Sequence, residues 1–346
     1  MHQAHQKDLF QDKNTVKQKK FISKIYLKIE IKFNVSTTKV IIYTGLAYTV
    51  TLGTASYFRQ EEYKLKLNFL RNLSRFSGFI AQLYIPKFMR GPLYSTYAKV
   101  YQVKQEDMIL PYNEYKNFNE FFTRKVKPRE INIDKRTIVS PADSKILNIS
   151  EVNGNSNLLV KDIKYNLGEF LTGNKDVVME GALFESFKLK NPKSKIYQVI
   201  FYLNPGDYHR YHSPANILIK KRNHIVGYLA PVKELYIQKN PRVYEENERV
   251  ALFGEWDFGQ FTQVYVGATN VGSMDINFDE LKTNRNFKVQ YFQKVNIKSI
   301  FLPKGVEVGK FNLGSTVVIF FETQGEAQWL VKEGDYVRYG QDVCKV

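Results

Sequence analysis

Cysteine is almost missing from this sequence, and its scarcity limits the chemistry that the chain can carry. The single cysteine, Cys344, cannot form an intramolecular disulfide, and metal sites that need two cysteines are excluded. Zinc knuckles, recognition-helix signatures and aromatic-basic RNA motifs are also absent, so we do not expect nucleic-acid binding. We predict no metal site, and the hydrophobic content of 43% excludes a chain that is disordered throughout.

Acidic residues are outnumbered by basic ones. The 346 residues include 34 Asp and Glu against 51 Lys and Arg, which gives a net charge of +17. A positive surface attracts anionic partners such as acidic lipids. The alternative is that lysine is simply abundant on a solvated surface.

Arginine is absent from residues 1–39, where lysine is frequent, and residues 40–58 carry no charge. At about 1.5 Å per residue, this uncharged stretch is close to the thickness of a bilayer core. We therefore predict a single N-terminal transmembrane helix at 40–58 behind a basic leader or targeting segment at 1–39. A buried helix or a pair of strands is the alternative for 40–58. A spanning helix would leave the bulk of the protein across the membrane from the lysines.

A stripe of apolar residues recurs at helical spacing between residues 65 and 80. Its members are Leu65, Phe69, Leu70, Leu73, Phe76 and Ile80. Lys66, Arg71 and Arg75 are interspersed, which is typical of a helix that lies in a lipid interface and presents basic groups to phosphates. The alternative is a helix that packs on its own domain.

The rest of the chain changes from helical to strand-like patterns. Residues 59–130 form a predicted helical, membrane-proximal section, with helices at 86–101 and 113–124. Residues 131–346 form a predicted β-rich catalytic body. Its strand-like runs are 146–152, 196–203, 217–219, 261–266 and 288–292. Long helices do not alternate with these runs, so we predict an α+β fold with a mostly antiparallel, sandwich-like core behind the helical section.

Three short motifs contain candidate catalytic residues. The motifs are Ser-Pro-Ala-Asp at 140–143, Asp-Tyr-His-Arg-Tyr-His-Ser-Pro at 207–214 and Leu-Gly-Ser-Thr at 313–316. A serine hydroxyl is a weak nucleophile until a neighbouring imidazole takes its proton. Ser315, His212 and Asp143 form a candidate nucleophilic set, in which His212 is the base and Asp143 orients its ring. His209 is a candidate acid because an imidazole titrates near neutrality.

This combination of motifs resembles the phosphatidylserine decarboxylases, enzymes that cut their own chain before a serine and convert that serine into a pyruvoyl group. Supporting segments are Phe-Asn-Glu-Phe-Phe-Thr-Arg at 118–124, Asn-Glu-Arg at 247–249 and Val-Gly-Ala-Thr-Asn-Val-Gly-Ser at 266–273. The segments follow one another in family order. One departure is Ser144, where the family usually has glycine after the aspartate.

The resemblance implies self-cleavage of the bond between Gly314 and Ser315. Ser315 would attack the carbonyl of Gly314, and the precursor would separate into a β chain (1–314) and an α chain (315–346) headed by a covalent pyruvoyl cofactor derived from Ser315. That group would form an imine with the amine of phosphatidylserine and release carbon dioxide, which gives phosphatidylethanolamine. The resemblance also implies the mitochondrial inner membrane, with the catalytic body on the intermembrane-space side.

Several alternatives stay open. Arg124, Asn247, Glu248 and Arg249 either contact the substrate head group or form ion pairs that fix the core. A conventional serine hydrolase acting on lipid esters would use the same three side chains and leave its own chain intact. A non-catalytic protein that binds anionic lipids would associate with membranes and release no carbon dioxide.

Overall fold

The computed structural model describes residues 65, 69–152, 157–160, 163–173, 194–232, 234–240, 242–268, 273–284, 292–312 and 315–346. The chain divides into two units, Met1–Tyr63 and Lys64–Val346, and the described residues all belong to the second. The predicted leader at 1–39 and the predicted transmembrane helix at 40–58 lie outside the described residues. Within the described ranges, no helix is both long enough and apolar enough to cross a bilayer.

Helices account for most of the regular structure before the first strand. Residues 69–81 are helical. The other α-helices are α1 (Lys87–Tyr101), α2 (Phe118–Phe122), α3 (Leu167–Thr172), α4 (Glu234–Lys239) and α5 (Val243–Glu246), and 3₁₀ turns cover Gln105–Asp107 and Tyr112–Glu114. Helix α1 confirms the prediction for 86–101. It ends where Gln102 turns left-handed (φ 56°) and its N–H donates to the carbonyl of Ala98.

The predicted helix at 113–124 is wrong in its extent. A 3₁₀ turn ends at Glu114, and α2 begins only at Phe118. Between them Asn117 is extended, and its side-chain oxygen accepts a hydrogen bond from the N–H of Glu120 at 2.9 Å. The Glu120 carboxylate accepts in turn from the N–H of Lys116 at 2.8 Å. This reciprocal cap starts a new helix, because the capping residue must itself be non-helical.

The strands begin after Asp134 and continue to the C-terminus. They are β1 (Thr137–Val139), β2 (Ser144–Glu151), β3 (Asn157–Val160), β4 (Ile163–Asn166), β5 (Lys195–Leu203), β6 (Arg210–His212), β7 (Ile217–Ile225), β8 (Arg249–Trp256), β9 (Gly259–Gly267), β10 (Met274–Ile276), β11 (Asp279–Lys282), β12 (Phe292–Leu302), β13 (Glu307–Phe311), β14 (Ser315–Thr323), β15 (Gln328–Trp329), β16 (Tyr336–Val337) and β17 (Asp342–Lys345). The predicted strands at 146–152, 196–203 and 261–266 overlap β2, β5 and β9, whereas 217–219 is only the start of β7. Most of the predicted strand at 288–292 lies outside the described residues.

Two sheets of the described residues position the candidate site. An eight-stranded sheet has the order β12-β7-β8-β9-β14-β5-β2-β16, and a four-stranded sheet has the order β11-β10-β13-β6. Smaller sheets join β1-β17-β15 and β3-β4. The ladders between these strands are antiparallel. The α+β class with mostly antiparallel sheets is therefore confirmed, and the sandwich-like packing stays a prediction.

Strand β14 is an inner strand of the eight-stranded sheet. It lies between β9 and β5, and its first residue, Ser315, pairs with Gly267 on one side and Leu203 on the other. The side chains from Val317 to Phe321 are fully buried, as expected for a strand covered on both faces. The chain passes from the four-stranded sheet to the eight-stranded sheet between Phe311 and Ser315, so the predicted cleavage bond lies at this crossing.

We expect Ile319→Ala to lower the free energy of unfolding by roughly 2–5 kcal/mol, because it removes buried methyl groups from an inner strand and leaves a cavity. Urea unfolding would measure the change. Leu330→Ala is the matched control, since Leu330 lies in the same C-terminal segment and is 45% exposed. Equal losses in the two variants would contradict the central position of β14.

Candidate active site

Backbone hydrogen bonds join the 140–143 motif to the 207–214 motif. The N–H of His212 donates to the carbonyl of Pro141 at 2.8 Å. The N–H of Val139, just before the first motif, donates to the carbonyl of Pro214 at 3.0 Å. Asp143 and His212 are therefore held on adjacent segments although about seventy positions separate them in the sequence.

The histidine motif also lies beside the segment that leads to Ser315. Strand β6 ends at His212 and pairs with β13, where His212 is opposite Glu307. Phe311 is the last residue of β13 and lies two residues before the 313–316 motif. Its N–H donates to the carbonyl of His209 at 2.9 Å. The structure therefore brings the first two motifs into one region with Phe311, which lies two residues before the third motif.

Sheet register gives the spacing between the start of β14 and the residues that follow Asp143. Thr316 of β14 and Lys145 of β2 both pair with Tyr202 of β5, one on each side. Two strand spacings of about 4.8 Å place these two backbones about 10 Å apart. Residues 313–314 and the side chain of Ser315 lie outside the described residues.

Asn312, immediately before the 313–316 motif, is held by two neighbouring segments. Its side-chain nitrogen donates to Ser273 Oγ at 2.7 Å and to Asp275 Oδ2 at 3.0 Å. Its side-chain oxygen accepts from Asn119 Nδ2 at 3.4 Å. These contacts give the 118–124 and 266–273 segments a structural link to the motifs, because Asn119 and Ser273 both contact Asn312, two residues before Gly314.

The His212 imidazole is held in one tautomer. Its Nδ1 lies 2.9 Å from the carbonyl oxygen of Gly305, which can only accept, so Nδ1 carries the proton. Gly305 is left-handed (φ 79°), a conformation that favours glycine. The hydroxyl of Tyr208 lies 3.0 Å from Nε2 and donates to it. The pKa of His212 is lowered mainly by burial, which favours the neutral form of the ring.

The Asp143 carboxylate has other partners than the His212 ring. Arg129 binds it with both arms of its guanidinium, at 2.5 Å and 3.0 Å, and the backbone N–H of Tyr339 donates to Oδ1 at 2.8 Å. The Tyr339 ring stacks on the His212 imidazole, with centroids 4.1 Å apart and an angle of 11°. The described residues contain no hydrogen bond from the His212 ring to the Asp143 carboxylate, and the Gly305 carbonyl accepts the Nδ1 proton of His212 instead.

His209 is completely buried and has one ring nitrogen without a described partner. Its Nδ1 lies 2.9 Å from the carbonyl oxygen of Asp207 and therefore carries the proton, whereas Nε2 has no hydrogen-bond partner among the described residues. The ring packs against Phe122 at 4.0 Å between centroids. Burial lowers the pKa of His209 to about 3. In this arrangement His209 is a neutral imidazole, and the lone pair of its Nε2 has no partner in the described ranges.

Asp207 is a further carboxyl group in this region. Its Oδ2 accepts from the N–H of Asn204 at 2.6 Å, and its Oδ1 accepts from the hydroxyl of Tyr336 at 2.6 Å. Desolvation raises the pKa of Asp207 to about 6 despite these hydrogen bonds. A cleft beside it is lined by Arg124, Asp143 and Tyr208, among others.

Arg124 of the 118–124 segment is buried near the histidines. Its Nη2 donates to the carbonyls of Gly206 at 2.7 Å and Asp207 at 3.1 Å. Its Nε and Nη1 have no hydrogen-bond partner among the described residues. The guanidinium therefore fixes the turn before His209, and two of its three nitrogens have no acceptor in the part of the chain that the structure describes.

The 247–249 segment fixes the core. The side-chain nitrogen of Asn247 donates to the carbonyls of Ala230 at 2.8 Å and Gly267 at 2.9 Å. Arg249, fully buried, donates to the carbonyls of Phe170, Asn247 and Glu169. Glu248 lies 2.8 Å from the His224 ring. Of the two readings of this segment, the contacts of Asn247 and Arg249 favour the structural one.

Sequence reasoning missed Arg129, Tyr208, Gly305 and Tyr339. Asp207 and Tyr208 lie within the histidine motif, directly before His209, so their position in the sequence could have identified them as site residues. Arg129 and Tyr339 lie in otherwise ordinary segments and meet only through contacts that span 14 and 196 positions to Asp143. No local pattern identifies such partners.

Comparison with known proteins gives one consistent result. The profile of the phosphatidylserine decarboxylase family matches residues 118–345. The mitochondrial phosphatidylserine decarboxylase proenzyme of Pongo abelii is 35% identical over 288 residues, which cover 78% of this chain and 70% of the relative. Proenzyme 1 of Schizosaccharomyces pombe is 32% identical and covers 80% of each chain, and the Plasmodium falciparum proenzyme is 32% identical and covers 80% and 77%.

We expect the His209 ring to stay neutral at pH values well below 6.5, the usual pKa of histidine, because burial lowers the pKa of His209 to about 3. In this pH range the unfolded chain binds a proton that the folded chain does not, so His209 reduces stability as the pH falls from about 6.5 towards 3. Nitrogen-15 NMR of labelled histidines would measure the titration, with His209→Asn assigning the signal. A His209 signal that titrates near pH 6.5 would contradict the buried, uncharged ring.

Proposed function

Because this chain belongs to the phosphatidylserine decarboxylase family, we propose that it is a self-processing carboxy-lyase that converts phosphatidylserine into phosphatidylethanolamine. Self-cleavage is proposed at the bond between Gly314 and Ser315. The observation that carries this proposal is the position of the histidine motif, which pairs with β13 immediately before the chain crosses into β14.

In the proposed cleavage, Ser315 Oγ attacks the carbonyl carbon of Gly314, and the serine proton passes to Nε2 of His212. In the described arrangement the hydroxyl of Tyr208 donates a hydrogen bond to this nitrogen. The Tyr208 hydroxyl must therefore move away before the serine proton can be accepted. The amide becomes an ester, and loss of the Ser315 α-proton eliminates the ester. The resulting dehydroalanine tautomerises and takes up water, which releases ammonia and leaves the pyruvoyl group at position 315.

Asp143 supports this step through its charge. Its negative charge raises the proton affinity of His212 without a direct hydrogen bond, which opposes the effect of burial. Tyr339 connects the two groups, since its backbone N–H bonds to Asp143 and its ring stacks on His212. We assign Asp143, His212 and Ser315 to self-cleavage on these grounds.

We propose that position 315 carries a covalent pyruvoyl group and that His209 serves the step that follows its formation. His209 offers a buried nitrogen, Nε2, that has no partner among the described residues. A pyruvoyl group supplies an electron-withdrawing carbonyl that accepts the electrons left by a departing carboxylate. His209 is the proposed proton donor to the carbon that loses the carboxylate. A negatively charged substrate beside the ring would raise its pKa from the low value of the precursor.

The α chain (315–346) would stay bound after cleavage because its strands are distributed over two sheets. Strand β14 pairs with β5 and β9, β16 pairs with β2, and β17 pairs with β1. Burial of the apolar side chains of β14 adds hydrophobic stabilisation to these backbone hydrogen bonds.

An apolar surface on the helical section supports a membrane partner. Most of the apolar side chains at 69–81 are exposed, with Leu70 half-buried. Arg71, Ser74 and Ala81 are buried. We define the apolar surface by its exposed members, with exposures from 45% to 81%: Leu65, Phe69, Phe76, Phe79, Ile80, Leu83, Tyr84, Phe88, Met89 and Leu93. Apolar groups at this density are typical of a membrane interaction site, and the substrate is itself a lipid.

We place the protein at the mitochondrial inner membrane, with the catalytic body on the intermembrane-space side. The relatives from Pongo abelii and Schizosaccharomyces pombe are named mitochondrial. The net charge of +17 suits an anionic lipid surface. The transmembrane helix predicted at 40–58 would provide the anchor.

We expect Ser315→Ala to abolish both chain cleavage and decarboxylation, because the variant has no hydroxyl to attack Gly314 and no precursor of the pyruvoyl group. Gel analysis would follow cleavage, and release of labelled carbon dioxide from carboxyl-labelled phosphatidylserine would follow turnover. A conventional serine hydrolase predicts instead that the native chain stays intact and that a fluorophosphonate labels Ser315.

His209→Ala is the comparison variant for this experiment. It should cleave its chain and decarboxylate at least about 10²-fold more slowly, because only the second step needs the proposed acid. Normal cleavage in Ser315→Ala would remove the serine from the scheme, and normal turnover in cleaved His209→Ala would refute the acid role.

We expect Phe76→Asp combined with Phe79→Asp to reduce turnover of phosphatidylserine in vesicles by at least about tenfold, since charge on the apolar surface opposes insertion. Turnover of a short-chain, soluble phosphatidylserine should change little. Ile133→Asp is the control, because Ile133 is 91% exposed and lies outside the apolar surface. Equal loss on both substrates would contradict a docking role.

A further inference from the structure

The Asp143 carboxylate is held by an arginine that belongs to none of the three motifs. Arg129 makes a two-armed contact with it, at 2.5 Å and 3.0 Å, and the Arg129 side chain is 15% exposed against 5% for Asp143. Two parallel charge-assisted hydrogen bonds fix both the position and the rotation of a carboxylate. Asp143 therefore has little freedom while Arg129 is in place.

Arg129 also contacts the ring of Tyr339, which stacks on His212. Its guanidinium carbon is 4.5 Å from the centroid of the Tyr339 ring. The His212 imidazole is stacked with the same tyrosine, at 4.1 Å between centroids. Tyr339 is thus in contact with both the cation and the proposed base, while its backbone N–H holds Asp143.

A second carboxylate, that of Asp107, also binds Arg129. Asp107 Oδ2 lies 3.0 Å from Nη2 of Arg129 and 2.5 Å from Nη2 of Arg338. Arg338 and Tyr339 belong to the proposed α chain, whereas Asp107, Arg129 and Asp143 belong to the proposed β chain. The cluster therefore ties the segment around Tyr339 to the proposed β chain.

We propose that Arg129 is a positioning residue for self-cleavage, which fixes the Asp143 carboxylate and, through the Tyr339 ring, the His212 imidazole. The proposal rests on the assignment of Asp143 and His212 to self-cleavage. Arg129 needs no contact with the scissile bond or the lipid in this role. Its removal should therefore slow cleavage of the precursor rather than prevent folding of the sheets.

Charges around His212 give the role a signature in the pH dependence. The groups that face or influence the imidazole are Tyr208, Tyr339, Glu307, Asp143 and Arg129. The two carboxylates favour protonation of the ring, and the positive charge of Arg129 opposes it. Loss of that charge should shift the acid limb of the cleavage rate to higher pH, because His212 must be neutral to accept the serine proton.

The test compares cleavage rates of newly synthesised full-length precursor. Arg129→Ala should cleave about 10²-fold more slowly, as expected when a catalytic group is displaced, and its acid limb should move to higher pH. Guanidinium chloride at concentrations too low to denature should restore part of the rate. Arg129→Lys keeps the charge without the two-armed contact, so it should be slow with an unshifted acid limb. Arg136→Ala, an exposed arginine of the same segment, should cleave normally.

Each outcome separates the inference from the function on which it rests. Wild-type rates and pH profiles in both Arg129 variants, with cleavage blocked in Asp143→Asn, would overturn the role of Arg129 alone. Normal cleavage in Asp143→Asn would overturn the assignment of Asp143 itself. If Arg129→Ala is slow, yet guanidinium gives no rescue and Arg129→Lys cleaves at the wild-type rate with a wild-type profile, the two-armed contact has no positioning role.

Discussion

The pairing of β14 between β5 and β9 is the constraint on which the rest of the site depends. It fixes the backbone of Ser315 at the first position of an inner strand, and the pairing of β13 with β6 holds the histidine motif beside the strand that precedes it in the chain. Strand β13 ends at Phe311 and β14 begins at Ser315, so a strand lies on each side of the proposed cleavage bond. Such anchoring would lower the entropic cost of the proposed intramolecular attack. The same pairing would retain the α chain once the bond is cut.

Burial, rather than hydrogen bonding alone, determines the protonation of the histidines. Both imidazoles have lowered pKa values because the charged form would lose its hydration. Each donates from Nδ1 to a backbone carbonyl, which leaves Nε2 as the basic atom. His212 has the tyrosine hydroxyl of Tyr208 at that atom and His209 has no described partner. Their different surroundings support different proposed roles, one in maturation and one in turnover.

Sequence reasoning succeeded where the information was local. The helix at 87–101 followed from its own pattern, and strands β2, β5 and β9 overlap runs that were predicted as strands. The break before Phe118 was missed because the side chain of Asn117 competes with the backbone for the N–H of Glu120. The stripe from Leu65 to Ile80 was visible, but its outward orientation was settled only by which residues the body covers. Arg129 and Tyr339 reach Asp143 through tertiary contacts that leave no trace in spacing or composition.

The central claim is that the peptide bond before Ser315 is cleaved and that Ser315 is converted into a ketone-bearing residue. Mass spectrometry of the purified, mature protein tests it most directly. The account predicts two chains, with the smaller one beginning at position 315 and carrying the mass of a pyruvoyl group in place of serine. A single intact chain, or a fragment that begins with an ordinary serine, would contradict it.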